Sequence, residues 1–161
     1  MRLHRIYFYD SKPLEGSAKA PLGGKPINFG ASPTAARNKS LQASLVKEPF
    51  FAMRYGEVSH EGWRLKKKIL SKPGPKVEID AEDIEANIRQ KGVDMRIGLD
   101  IASLTLKKHV QVIVLATADS DFIPAMKFAR RERAQLFLIA LGHGLKGGMR
   151  EHADLVIDTP I

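Results

Sequence analysis

Cysteine is absent from this 161-residue chain. That excludes disulfides and every thiolate metal site, and nothing points to an exported, oxidised scaffold. Long apolar runs are missing as well, since none approaches the ~18 residues that a membrane-spanning helix needs. The opening MRLHRIYFYD has a short apolar run but no small-residue cleavage site, so it does not read as a signal peptide. No G-x-x-x-x-G-K-[ST] loop occurs, which excludes a phosphate-binding P-loop, and GHGLKGG (142–148) reads instead as a flexible turn. No G-x-S-x-G or Ser-His-Asp arrangement occurs either. The five histidines (His4, His60, His109, His143, His152) lack metal-binding spacing and read as isolated polar residues. These absences leave a cytoplasmic protein without a membrane partner, of a length suited to one domain over 1–161.

What is present is charge, unevenly spread. The net charge is +8, with hydrophobic residues at 43% and charged residues at 27%. Residues 1–79 hold 15 Lys/Arg against 6 Asp/Glu, and residues 80–161 hold 11 against 12. A basic surface beside an acidic site suits a polyanion whose reacting phosphate sits on a metal. Basic charge by itself is also common in proteins that bind no nucleic acid.

The apolar pattern gives a sequence of elements. RIYFY (5–9) reads as a buried strand ending at Asp10. Residues 11–33, dense in Gly, Pro, Ser and Ala, read as a long flexible loop. A helix is expected over 34–47, with Pro33 where it begins. FFAMRYGEV and GWRLKKKIL, on either side of SHEG, read as a β-hairpin or ribbon with Lys66, Lys67 and Lys68 on it. Residues 71–90 start as a Pro/Gly breaker and become acidic and helix-like, a linker expected to be exposed and partly unordered. Then follow a helix (92–108), a strand (112–117), a helix (121–132), a strand (134–141), a Gly-rich loop with a short helix, and a last strand in DLVID. Alternation of this kind means βα units and a parallel sheet covered on both faces.

In such a sheet, ligands bind beyond the carboxyl ends of the strands. Asp10 and Asp119 each follow strand residues and belong at that edge, and Asp121 opens the next helix. Asp94 begins the helix before the strand and could face the same edge. Capping accounts for part of this: Asp94 is a good N-cap candidate, and for Asp121 taken alone a cap is the stronger reading. Asp100 lies six residues beyond Asp94, ~120° around a regular helix, so the two do not share one narrow face. Asp119 resists the capping account, because a cap needs one acceptor and the turn from Asp119 to Asp121 supplies three. Clustered carboxylates repel unless protonated or bridged by a cation, and hard oxygen ligands suit Mg²⁺ or Mn²⁺.

Taken together, QKGVDMRIGLDIASL, VIVLATADSDFIPAMKFARRERAQLFLIAL and LKGGMREHADLVID resemble the NYN domain family, LabA-like relatives of the PIN-domain nucleases. The resemblance implies an α/β fold, a Rossmann-like three-layer α/β/α arrangement with a mainly parallel sheet and a β-hairpin or ribbon insertion. It implies a Mg²⁺- or Mn²⁺-dependent endoribonuclease, with RNA as the partner. Carried over by position, Asp94 matches the aspartate of K-G-V-D, and Asp119 and Asp121 match the pair in G-D-S-D. These three are the expected catalytic and metal residues, with Asp100 matching a helix aspartate as a lesser ligand. Arg54, Arg64, Lys66, Lys67, Lys68 and Lys146 are the expected nucleic-acid contacts, with Asp10 and Ser120 auxiliary. Two departures stand out. Ala118 replaces the family's glycine, and RIYFYD resembles the second strand of the family with no counterpart to a first strand ending Asp-x-x-Asn. The expectations that follow are a longer true protein or a decayed or split form, with a second copy or a protein partner as a candidate to complete the sheet. The alternative function is a catalytically inactive RNA-binding or protein-interaction module of the same fold.

Overall fold

A computed structural model describes residues 2–71 and 74–158, which divide into two compact units, 1–93 and 94–161. In the first unit, β1 (Ile6–Ser11) runs parallel to the opening of β4 (Phe51–Leu65), with Ile6 opposite Phe51 and Ser11 opposite Gly56. The rest of β4 pairs antiparallel with β5 (Ile84–Lys91), from Glu57 opposite Lys91 to Leu65 opposite Ile84. The sheet order is β1-β4-β5.

The expected hairpin around SHEG does not form. Glu61 and Gly62 lie in a register shift between His60 and Trp63, where two residues of β4 oppose one of β5. This is a β-bulge: Gly62 takes φ +87, which bends the strand without reversing it. The ribbon therefore exists, but its second strand is the segment expected to be an exposed acidic linker, of which residues 72 and 73 lie outside the described residues. Cross-strand charge decides the matter. Arg64 faces Glu85 in register and bonds to it at 2.8 Å, and Glu61 pairs with both Arg89 and Lys91. Such pairs act only once the two strands meet, so a helix-like local pattern is overridden by a partner 21 residues away. The same ribbon corrects the expected mainly parallel sheet, because this sheet is mixed.

The 11–33 stretch also carries structure. Its β2 (Ser17–Lys19) and β3 (Pro26–Asn28) pair antiparallel, and a 3₁₀ turn follows at Phe29–Ala31. Helix α1 (Pro33–Leu45) begins where Ser32 accepts a hydrogen bond from the Ala35 N–H and Pro33 occupies the first turn. The short α2 (Lys67–Leu70) closes β4.

The second unit follows the expected order closely: α3 (Val93–Leu106), β6 (Val112–Ala116), a 3₁₀ turn (Ser120–Phe122), α4 (Ile123–Arg131), β7 (Gln135–Ile139), α5 (Gly147–Glu151) and β8 (Leu155–Ile157). Strands β6, β7 and β8 are parallel, in that order. The core joins Ile101, Met126, Ala129, Ala134, Leu136, Leu138 and Met149, with Ile113, Leu115 and Val156 packed against it. Ile113 and Leu115 alternate with Val112, Val114 and Ala116, so one sheet face meets the helices. The other face stays partly open, with Val114 49% and Leu155 48% exposed.

Candidate functional site

Loops that follow parallel strands emerge at one edge of a sheet. In the second unit the loop after β6 carries Thr117 to Asp121, and the loop after β7 leads to Lys146. Their meeting is direct: the Lys146 ammonium donates to the Ser120 hydroxyl at 2.8 Å. Helix α3 precedes β6 and carries Asp94 in its first turn, and its Ile97 and Ile101 share the core with Ile113 and Leu115 of β6.

The acidic turn is built by its own side chains. The Thr117 hydroxyl accepts from the Asp119 N–H at 3.1 Å, and Asp119 Oδ1 accepts from the Asp121 N–H at 2.9 Å. Asp119 is thus the cap of the turn at Ser120–Phe122, and Asp121 is not. The cap was expected on Asp121, as the opening of the next helix. The structure starts one turn earlier, with a 3₁₀ turn inserted before α4. Thr117 was not singled out in the sequence, although T-x-D, a hydroxyl two residues before an aspartate at a strand exit, was a readable signal.

After this capping, carboxylate oxygens remain. The carboxylates of Asp121 and Asp94 have no hydrogen-bond or ion-pair partner among the described residues, and Asp119 keeps Oδ2 free. This is so although the chain holds 26 Lys and Arg. Asp100 lies farther along α3 and is not without a partner. Among the described residues no three His, Asp or Glu side chains converge as a ready-made metal site. The donor set still fits a hard divalent ion in kind, because Mg²⁺ is commonly held by one or two carboxylates and completed by water and substrate phosphate.

The remaining candidates lie in the first unit. Both Asp10 oxygens are occupied, one by the Ser11 N–H at 2.7 Å and one by Gln42 Nε2 at 2.8 Å. Buried Gln42 also donates to the Ser11 carbonyl at 3.0 Å, so Asp10 ties α1 to β1. Among the expected phosphate contacts, Arg64 is paired with Glu85, Lys68 with Asp83 at 3.4 Å, and Arg54 lies 5.0 Å over the Tyr7 ring. Lys66 and Lys67 have no side-chain partner among the described residues.

One further aspartate emerges as structural. Asp154, from the HADLVID stretch, accepts from the Leu136 N–H at 2.7 Å and from Arg130 Nε at 3.1 Å, while Arg130 also donates to the Glu151 carbonyl at 3.1 Å. It locks the ends of α4 and α5 to the start of β7.

No curated protein and no solved structure matches the chain. No described helix is long and apolar enough to cross a membrane. The family model of the NYN domain matches residues 36–159, from α1 through β8, and the chain belongs to the NYN domain family.

Proposed function

We propose that this chain is a ribonuclease that hydrolyses RNA phosphodiester bonds with a divalent ion, Mg²⁺ or Mn²⁺, at the acidic turn. NYN domains are typically nuclease-like, generally bind RNA and generally work with divalent metals. The observation that carries the reading is the unneutralised acidic turn at Asp119 and Asp121, at a parallel-strand edge of a chain whose net charge is +8.

Asp119 Oδ2 and the Asp121 carboxylate are the groups that would hold the ion, with Asp94 able to join them through water. When bound, the ion supplies Lewis-acid polarisation of the scissile phosphate. The protein's own part is positional. Ser120 fixes the Lys146 ammonium beside the turn, where it neutralises a non-bridging phosphate oxygen. The Thr117 and Asp121 bonds to Asp119 hold its carboxylate in one orientation, so little freedom is lost when substrate arrives. We take residues 1–161 as one domain and the protein as cytoplasmic; a family match over residues 36–159, which runs across both compact units, supports the first of these.

The test is labelled single-stranded RNA with Mn²⁺, the parent chain run beside Asp119→Asn/Asp121→Asn. Cleavage by the parent and a loss of two orders of magnitude or more in the variant is the expected result, roughly the effect of removing a main electrostatic group. Equal cleavage by both would refute the assignment. A second reading, an inactive RNA-binding module, is favoured by the lack of three convergent carboxylates among the described residues. Salt-sensitive RNA binding that ignores metal, without cleavage, would establish it.

A further inference from the structure

We propose that a cleft between α1 and the end of β1 takes one amino-bearing base of single-stranded RNA together with its phosphate. The cleft is lined from the first unit alone and encloses about 490 Å³, inside the ~300–1,000 Å³ range of ligand sites. Strand register puts it there. Asp10 of β1 lies opposite Tyr55 of β4, so both side chains leave the sheet on one face. The bond from Gln42 to Asp10 shows that this face meets α1.

The lining suits a flat ring that carries an anion. Pro13, Ala43 and Val46 give apolar walls beside the Tyr55 ring, and a base packs on an aromatic face whatever the sequence around it. Lys12 and Lys47 supply positive charge. Lys47 has no side-chain partner among the described residues, and Lys12 has only the Tyr55 ring, 5.4 Å from its ammonium. The nearby carboxylates are committed, Glu15 to Lys39 and both Asp10 oxygens to their own donors. The Gln42, Ser44 and Leu45 carbonyls at the end of α1 accept from Val46, Lys47 and Glu48, which blunts the negative pole of the helix there.

Gln42 selects the base. It is 6% exposed, and its Nε2 donates to Asp10 Oδ2 and to the Ser11 carbonyl. Both of those partners are acceptors only, so the amide has one possible orientation and Oε1 must point away from them. Oε1 has no partner among the described residues, although Gln42 lines the cleft. An unpaired acceptor on a buried side chain is costly, and a ligand N–H recovers that cost. Adenine, cytosine and guanine offer an amino group for it, whereas uracil offers a single N–H between two carbonyl oxygens. An inorganic anion has no such donor. The proposal rests on RNA as the ligand of this chain and not on its cleavage.

The experiment is an NMR titration of the full chain with adenosine monophosphate in EDTA, which keeps any metal from bridging the phosphate. The Gln42 side-chain amide signals should shift. Lys12→Ala/Lys47→Ala, which alters two exposed side chains, should raise the dissociation constant about ten-fold. Two further ligands leave the protein untouched. Purine riboside monophosphate, which lacks the amino group, should bind about five-fold more weakly, and ribose phosphate, which lacks the base, more weakly still. Single-stranded oligoadenylate should displace the mononucleotide. Equal binding of all three small ligands would mark a plain anion patch and overturn the proposal, as would unmoved Gln42 signals or a mononucleotide that RNA does not displace. Nucleotide binding by a parent that cuts no RNA would leave this site standing and remove the nuclease reading. Cleavage without nucleotide binding would do the reverse.

Discussion

Lys146 and Ser120 form the smallest unit of the site that can be tested without touching a carboxylate. Their bond at 2.8 Å is exposed, so it contributes little to stability and chiefly restricts where the ammonium sits. Lys146→Ala should therefore leave the melting temperature nearly unchanged and reduce the salt slope of RNA binding by about 0.7, one phosphate contact on a single strand. A titration at several salt concentrations reads this directly, and an unchanged slope would remove Lys146 from the interface. Asp154 shows the opposite balance. Truncation to alanine leaves the Leu136 N–H and the Arg130 guanidinium without their acceptor, costing roughly 1–3 kcal/mol in denaturant unfolding, with RNA cleavage per folded molecule unchanged. Asp154→Asn, which keeps an acceptor for Leu136, should cost less. The two kinds of aspartate were unequally legible. Asp119 and Asp121 announced themselves because a short polar turn after an apolar strand is a local pattern. The role of Asp154 depends on partners 18 and 24 residues away, which no window of sequence contains.

At the scale of elements, the second unit could be read from its sequence and the second strand of the ribbon could not. Apolar runs of strand length separated by amphipathic helices are local signals, and α3, β6, α4 and β7 form close to where the pattern puts them. The ribbon is specified by pairing. Gly56 lies where a Cβ would come within 2.6 Å of both the Lys91 carbonyl oxygen and Val93 Cγ2. One of those atoms is backbone and does not move aside. Gly56→Ala should thus destabilise the first unit by about 1–3 kcal/mol, a cost of overpacking that chemical denaturation will show. The bulge adds a pH dependence. A hydrogen bond from Lys91 holds the Glu61 carboxyl below its ordinary value of 4.5, with the Lys91 and Arg89 charges adding to the shift. A depressed carboxyl stabilises the fold above its unfolded value and loses that contribution as pH falls through the lower folded value. Glu61→Gln should then melt slightly below the parent at neutral pH, and the two should converge well below pH 4.5, as melting curves across that range will report.

The whole molecule divides its charge along the chain, and that division sets what RNA binding should look like. The basic excess lies in residues 1–79, whereas the carboxylates of the acidic turn and α3 lie in the other half. Part of the basic excess is already committed, since Lys39, Arg64 and Lys68 have carboxylate partners and Arg54 lies over Tyr7. An ion pair at the surface must be broken or shared before its cation meets a phosphate, so those residues release fewer counterions than their number suggests. Lys66 and Lys67, where β4 passes into α2, are uncommitted among the described residues. Replacing both with alanine should lower the salt slope by about 1.4, two phosphates at roughly 0.7 each. Replacing Arg64 and Lys68 should lower it by less, because Glu85 and Asp83 would lose these cations at the same time. Equal losses from the two pairs would mean that RNA breaks the Arg64–Glu85 and Lys68–Asp83 ion pairs on binding. Comparable insensitivity in both would place the phosphate path away from the ribbon and leave Lys146 as its anchor.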